Sequence, residues 1–190
     1  MIAYGSAGNI EIYDLSSQTT NSLSPADLGL PDAVYVDAPA WSPTTDELVV
    51  YFAQSEGPVG EEEPTTQGYA VVSLVGRQAV SVMQYQAQFL PAQSAQWSPD
   101  GTRILINLIS SAKYANPAGL WVVSPSGDDL RQVDDVVAYR VLWAPSGKAI
   151  AYIDNDTRRV FVLEANSLQV VEQPESADPV ADIAWRPTAP

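Results

Sequence analysis

Apolar and polar residues alternate with a period of two along several short stretches, and each stretch lies at a fixed distance after a tryptophan. A period of two places alternate side chains on one face of a β-strand, whereas a helix would repeat about every 3.6 residues. The pattern therefore predicts a recurring β-strand. The apolar positions seven and nine residues after the tryptophan are Leu48 and Val50, Ile104 and Ile106, and Ile150 and Tyr152.

A short turn motif beginning with the tryptophan precedes each of these strands. Its proline presets φ, and the glycine of two copies accepts a positive φ, as tight turns require. The tryptophans lie 56, 46 and 42 residues apart, a period typical of a four-stranded propeller blade. The copies are Trp41-Ser42-Pro43-Thr44-Thr45, Trp97-Ser98-Pro99-Asp100-Gly101, Trp143-Ala144-Pro145-Ser146-Gly147 and Trp185-Arg186-Pro187-Thr188-Ala189.

Two further strands are predicted in every copy, and the last of them is the most polar. That polarity is expected of an outer edge strand that faces solvent. The pattern therefore predicts an all-β fold, a four-bladed β-propeller with four-stranded antiparallel blades. The third strands are predicted at 9–14, 69–74, 119–124 and 159–164, and the fourth strands at 18–22, 78–84, 130–134 and 168–172.

The fourth copy of the motif predicts how the ring closes. Counted onward from Trp185 through the N-terminus, positions seven to nine are Ile2-Ala3-Tyr4, which match Ile150-Ala151-Tyr152 after Trp143. We therefore expect the C-terminal strand to pair with N-terminal strands and latch the ring. The predicted single domain, 1–190, comprises blades at 35–84, 92–134 and 137–173 and a composite blade of 180–190 plus 1–22.

The segment Trp97-Ser98-Pro99-Asp100-Gly101-Thr102-Arg103-Ile104, followed by Gly119-Leu120-Trp121-Val122-Val123-Ser124, resembles the WD-like repeat of TolB-type β-propellers. The resemblance covers the whole chain, once per blade. It implies the propeller fold and a periplasmic, secreted or cell-surface location, and it is shared by binding proteins, peptidase accessory domains and surface proteins. Those rings have six or more blades, so four repeats leave three arrangements open: a self-contained ring, a piece of a larger ring, or half of an eight-bladed ring.

Composition excludes several kinds of chemistry. The 190 residues include no histidine and no cysteine, which excludes a Ser-His-Asp triad, a thiol nucleophile, His-ligated zinc and disulfides. The formal charge of −14 argues against nucleic acid as a partner. The sequence shows neither a signal peptide nor a membrane-spanning run. We therefore expect no enzymatic activity, no cofactor and no metal, and a neutral or basic partner.

The predicted loops are strongly asymmetric, and this asymmetry locates a candidate binding surface. The Trp-Ser-Pro face has only short turns, while the opposite face carries the long loops 23–34, 54–67, 85–92 and 110–118. Long loops in compact domains often carry function. Two alternatives stay open: the apolar pair at 89–90 can plug a gap between blades, and the glutamate run can be a solvated loop. The candidate contacts are Tyr35, Glu61, Glu62, Glu63, Tyr85, Phe89, Leu90 and Tyr114.

Two polar groups fall outside that surface. Arg140 and Asp182 each lie three residues before a motif tryptophan, so they can pair across the central channel or point to solvent. The run 154–156 partly resembles a calcium loop but lacks the distal glutamate, which favours a polar hairpin turn.

The leading functional hypothesis is a non-catalytic scaffold that binds a protein or peptide through the long-loop face. One alternative is an accessory or gating propeller domain of a larger exported enzyme such as a peptidase. Another is a ring segment that dimerises into an eight-bladed propeller. The repeat arithmetic favours a monomer, with a dimer as the alternative.

Overall fold

The computed structural model of the chain describes residues 1–54, 65–87, 95–108, 118–134, 137–174, 176 and 178–186. These residues form four antiparallel sheets that follow one another along the sequence, and each sheet is called a blade below. The described residues contain no helix long and apolar enough to cross a membrane.

The first blade has three strands and each later blade has four, in chain order across the sheet. The first blade is β1 (Ile2–Ser6), β2 (Asn9–Asp14) and β3 (Thr19–Leu23). The second is β4 (Tyr35–Trp41), β5 (Glu47–Gln54), β6 (Thr65–Ser73) and β7 (Gln78–Ala87). The third is β8 (Ala95–Trp97), β9 (Ile104–Leu108), β10 (Gly119–Val123) and β11 (Arg131–Asp134). The fourth is β12 (Ala138–Trp143), β13 (Ala149–Asp154), β14 (Val160–Glu164) and β15 (Val170–Glu172).

The hydrophobic core lies between successive blades, and the middle strands are buried on both faces. In β5, Leu48 and Val50 pack toward the first blade, while Val49 and Tyr51 pack toward the third. A strand that is buried on both faces has a continuous run of apolar residues, and β5 has such a run. A further cluster joins the third and fourth blades in the same way.

Three of the four motif tryptophans donate a hydrogen bond to the blade before them. The indole N–H of Trp97 donates to the carbonyl of Ala40 at 2.9 Å, and that of Trp143 donates to the carbonyl of Gln96 at 3.4 Å. The indole of Trp185 donates to the carbonyl of Leu142, also at 3.4 Å. Each acceptor immediately precedes the tryptophan of the preceding blade, so one hydrogen bond recurs at three junctions. It satisfies a part-buried donor that would otherwise cost free energy.

The all-β, antiparallel architecture is confirmed, but the predicted closure is not observed. Within the described residues β1 pairs only with β2, and residues 180–186 have no strand assignment. The pairing of the C-terminal strand with the N-terminus therefore stays a prediction.

The segment after β3 fills the groove between the first two blades. Leu28 is fully buried there, in the cluster that contains Ile10 and Val36. Gly29 has a φ of +78°, and a Cβ at this position would lie 2.9 Å from the carbonyl oxygen of Arg77. This loop, predicted at 23–34 on the long-loop face, thus packs one of its apolar residues between blades.

Candidate binding surface at the long-loop end of the second blade

The second strand of the second blade is longer than its equivalents in the first and fourth blades, at the end where the long loops were predicted. Strand β5 continues six residues beyond Leu48, the partner of Trp41, whereas β1 and β13 continue four residues beyond the equivalent Ile2 and Ile150. Two extra residues lengthen a strand by about 7 Å. This end of the second blade therefore extends further than the same end of the first and fourth blades.

Three polar side chains form the last described row that spans β5, β6 and β7. Gln54 pairs with Thr66, and Thr66 pairs with Gln86, across β5, β6 and β7. Directly paired residues lie on the same face of a sheet, so the three side chains form one line. Gln86 is exposed and the other two are half-buried. This row is called the long-loop rim below.

A cluster of tyrosines supports the rim from below. The rings of Tyr35 and Tyr51 meet edge to face at 6.4 Å between centroids, and those of Tyr51 and Tyr69 do so at 5.8 Å. The buried Tyr51 hydroxyl donates to Oε1 of Gln67 at 2.6 Å, and burial raises the pKa of Tyr51 above its ordinary value. Edge-to-face aromatic contacts and a satisfied buried hydroxyl stabilise this end of the blade.

Tyr35 anchors the start of β4 through Asp37. Its hydroxyl donates to Oδ2 of Asp37 at 2.6 Å, and Oδ1 of the same carboxylate accepts the backbone N–H of Ala38 at 2.7 Å. The hydrogen bond to Asp37, with burial, raises the pKa of Tyr35 to about 12. Gly5 of β1 leaves room for this carboxylate, because a Cβ there would lie 1.7 Å from Oδ1.

Tyr85 lies in the core between the second and third blades. Only 9% of the residue is exposed, and burial raises its pKa to about 12. Its hydroxyl has no hydrogen-bond partner among the described residues. Tyr85 therefore contributes to packing in the described part of the chain.

The structure places two of the candidate contacts in one row of the second blade, on its first and last strands, and does not describe the others. Tyr35 and Tyr85 lie in one row, through the pairs Tyr35–Ala53, Ala53–Gln67 and Gln67–Tyr85. The sequence alone does not predict the rim residues, because nothing in their local pattern distinguishes them from other polar residues near strand ends. The candidates outside the described residues are Glu61, Glu62, Glu63, Phe89, Leu90 and Tyr114.

Arg140 and Asp182 form an ion pair. The Arg140 Nε lies 2.6 Å from Oδ1 of Asp182, and their side chains are 48% and 67% exposed. A pair this exposed contributes little to stability. It joins β12 to the segment before Trp185, and its place in a central channel stays a prediction.

Several described carboxylates at the opposite, short-turn end are held in turns. Oδ1 of Asp100 accepts from the Ser98 hydroxyl at 2.6 Å and from the Thr102 N–H at 3.1 Å, and these bonds lower the pKa of Asp100. Asp14 and Glu164 have lowered pKa values for the same reason, through Ser16 and Ser167.

At the other end of the fourth blade, Asp154 closes a hairpin turn by accepting the Thr157 hydroxyl at 2.6 Å. No group of three or more acidic side chains in the described ranges is placed to hold a metal ion.

Three solved structures share this arrangement of sheets. An oligogalacturonate lyase in complex with manganese aligns with a TM-score of 0.59 and 16% identity, covering 90% of this chain and 49% of that chain. A nidogen/laminin complex aligns with a TM-score of 0.52 and 15% identity, covering 90% of this chain and 60% of that chain. The hydrazine synthase of Kuenenia stuttgartiensis aligns with a TM-score of 0.54 and 17% identity, covering 89% of this chain and 43% of that chain.

The chain therefore spans about half the length of these structures. No protein-family model and no curated protein matches the sequence. Identities this low show the fold alone. Together, the four antiparallel sheets and the likeness to propeller structures give the chain a β-propeller fold.

Proposed function

We propose that the chain is a non-catalytic β-propeller scaffold that binds a protein or peptide at the long-loop end of its second blade. The observation that carries the proposal is the two-residue extension of β5 relative to β1 and β13. A longer sheet end offers a partner additional surface on regular structure. The loops predicted to flank it are expected to extend the same surface.

The chemistry of the rim indicates the kind of partner. Gln54, Thr66 and Gln86 offer amide and hydroxyl groups, which both donate and accept hydrogen bonds. The four strands of the second blade contain no lysine or arginine, and the chain carries a formal charge of −14. A neutral or basic peptide can approach such a surface without like-charge repulsion.

The described ionisable groups support a binding role over a catalytic one. Asp37 is held by the Tyr35 hydroxyl and a backbone N–H, and Asp100 and Asp154 are held in turns. Each of these carboxylates therefore has a structural role, as the acceptor that closes a turn or orders the start of a strand.

A second candidate is an accessory or gating domain of a larger enzyme. It is favoured by the coverage of the lyase and the hydrazine synthase, in which this arrangement accounts for less than half of the chain. Reading the gene on both sides of the printed sequence tests it: an adjoining catalytic domain supports this role, and stop codons on both sides exclude it.

A peptide-display experiment tests the binding proposal. Peptides are selected on the protein from a random phage-displayed library, and their dissociation constants are measured by isothermal titration calorimetry. Gln86→Lys at the rim adds a cation that repels basic peptides, so we expect about tenfold weaker binding. Gln78→Lys is the matched control, because it changes another exposed glutamine at the other end of the same strand. Equal losses for both variants, or none, would contradict the proposed location.

A further inference from the structure

The outermost strand of the second blade is much longer than the outermost strands of the other blades. Strand β7 has ten residues, whereas β3, β11 and β15 have five, four and three. Each of these four is the last strand of its sheet in the described part of the chain. An edge strand leaves about half of its backbone N–H and carbonyl groups without a partner in the sheet. Of the four, β7 therefore offers the longest row of such groups.

The sequence of β7 lacks the features that usually protect a sheet edge. Natural edge strands are kept from pairing with other chains by shortness, by charged side chains or by proline. Strand β7 contains no charged residue and no proline. By contrast, β11 contains Arg131 and Asp134, and β15 contains Glu172. The second blade is thus the one whose outer edge is suited to accept a further strand.

Turns from the neighbouring blades lie against the half of β7 nearer the short-turn end. A Cβ at Gly29 would lie 3.0 Å from the backbone nitrogen of Ala79, and a Cβ at Gly127 would lie 3.1 Å from the carbonyl oxygen of Ser81. The register with β6 then shifts at Val82, where the ladder is interrupted. These contacts leave little room for another chain along this half of the strand.

The other half of β7 is regular and more open. Residues 83–87 pair with five consecutive residues of β6, 65–69, without interruption. Gln84 and Gln86 are exposed, while Tyr85 between them is buried against the third blade. No backbone group of β7 hydrogen-bonds to a described residue outside its own sheet. Residues 83–87, called the open edge below, end at the long-loop rim.

We propose that the partner is an extended, neutral or basic peptide segment that adds to the open edge as a fifth strand of the second blade. This inference rests on the proposed function and specifies how the partner is held. Main-chain hydrogen bonds to β7 provide affinity, and alternate side chains of the peptide contact Gln84 and Gln86. The peptide residue opposite Gln86 continues the row of the long-loop rim.

Charge favours such a peptide over a second copy of the chain as the occupant. Each copy carries a formal charge of −14, so two copies repel each other as they approach. A neutral peptide meets no such repulsion, and a basic one is attracted. The five residues of the open edge span about 17 Å, so a partner segment of about five extended residues covers them.

A scan of the peptide backbone tests the inference. The probe is the tightest-binding peptide from the phage-displayed selection, resynthesised with a single N-methyl group at each residue in turn. N-methylation removes one backbone donor, and in a paired strand only alternate donors face the neighbour. We expect every second variant to bind at least about fivefold more weakly, and the others to change less than about twofold. Losses without this alternation would overturn the inference.

Amide hydrogen exchange locates the added strand on the protein. Exchange is followed by nuclear magnetic resonance with and without the same peptide. We expect alternate amides of the open edge to exchange at least about tenfold more slowly when the peptide is bound, while those of β3, the outer strand of the first blade, do not change. Measurable binding without protection of the open edge would overturn strand addition and leave the proposed function standing.

Two other outcomes would also overturn the inference. If the open edge becomes protected without peptide, and more so as the protein concentration rises, the occupant is a second copy of the chain. If the selection yields no peptide that binds, the proposed function fails and strand addition fails with it. The calorimetric titration therefore distinguishes failure of the proposed function from failure of strand addition alone.

Discussion

Replacing Trp97 by phenylalanine tests the hydrogen bond that recurs between blades. The variant Trp97→Phe removes the 2.9 Å bond to Ala40 and leaves a part-buried carbonyl without its donor, which costs about 1 kcal/mol. The smaller ring buries roughly 40 Å² less apolar surface, worth about 1 kcal/mol more. We expect the free energy of unfolding to fall by about 2 kcal/mol in total.

Trp143→Phe is the matched control, because both tryptophans are 9% exposed. Its indole contact with Gln96 is longer, at 3.4 Å, so the hydrogen bond contributes less and we expect a loss of about 1 kcal/mol. Urea-induced unfolding followed by far-ultraviolet circular dichroism measures both variants without relying on the altered fluorophores. Equal losses in the two variants would refute the assignment of the difference to the hydrogen bond.

Two further predictions concern the start of the second blade. Gly5→Ala places a Cβ against the Asp37 carboxylate and should destabilise the fold by about 1–3 kcal/mol. The control Gly76→Ala, whose Cβ would have no atom closer than 3.6 Å, should change stability by less than about 0.5 kcal/mol. Similar unfolding midpoints for the two variants would contradict this prediction. The raised pKa of Tyr35 means that the folded state holds this proton more tightly, so stability should fall as the pH rises from 10 toward 12. Urea titrations across that interval should show a smaller fall in Tyr35→Phe, and an equal fall would contradict the assignment.

The sequence predicts the blades well because each strand lies at a fixed distance from a tryptophan and a turn. The third strand predicted at 9–14 coincides with β2, and that predicted at 119–124 differs from β10 by one residue. The third strand of the second blade begins at Thr65, four residues before the predicted start at Tyr69. The prediction starts late because Gln67 and Gly68 do not continue the apolar alternation. The long-loop rim depends on that extension, so the sequence pattern did not reveal it.

Contacts between distant segments could not be predicted in the same way. Leu28 is one apolar residue in a polar loop, and only the structure shows that it fills the gap between two blades. The repeat spacing from Trp185 through to Ile2 is compatible with a closed ring. Whether the C-terminal segment pairs with β1 depends on the angle between blades, which a local sequence pattern does not contain. The ion pair of Arg140 and Asp182 was foreseen as one of two options because both residues occupy the same repeat position.

The mass of the native protein in solution is the most direct test of how this propeller is completed. Size-exclusion chromatography with multi-angle light scattering, run over a range of concentrations, measures it without any substitution. A ring of eight blades formed by two copies predicts a particle of twice the 20.4 kDa chain mass. A mass of 20.4 kDa at every concentration would contradict that arrangement.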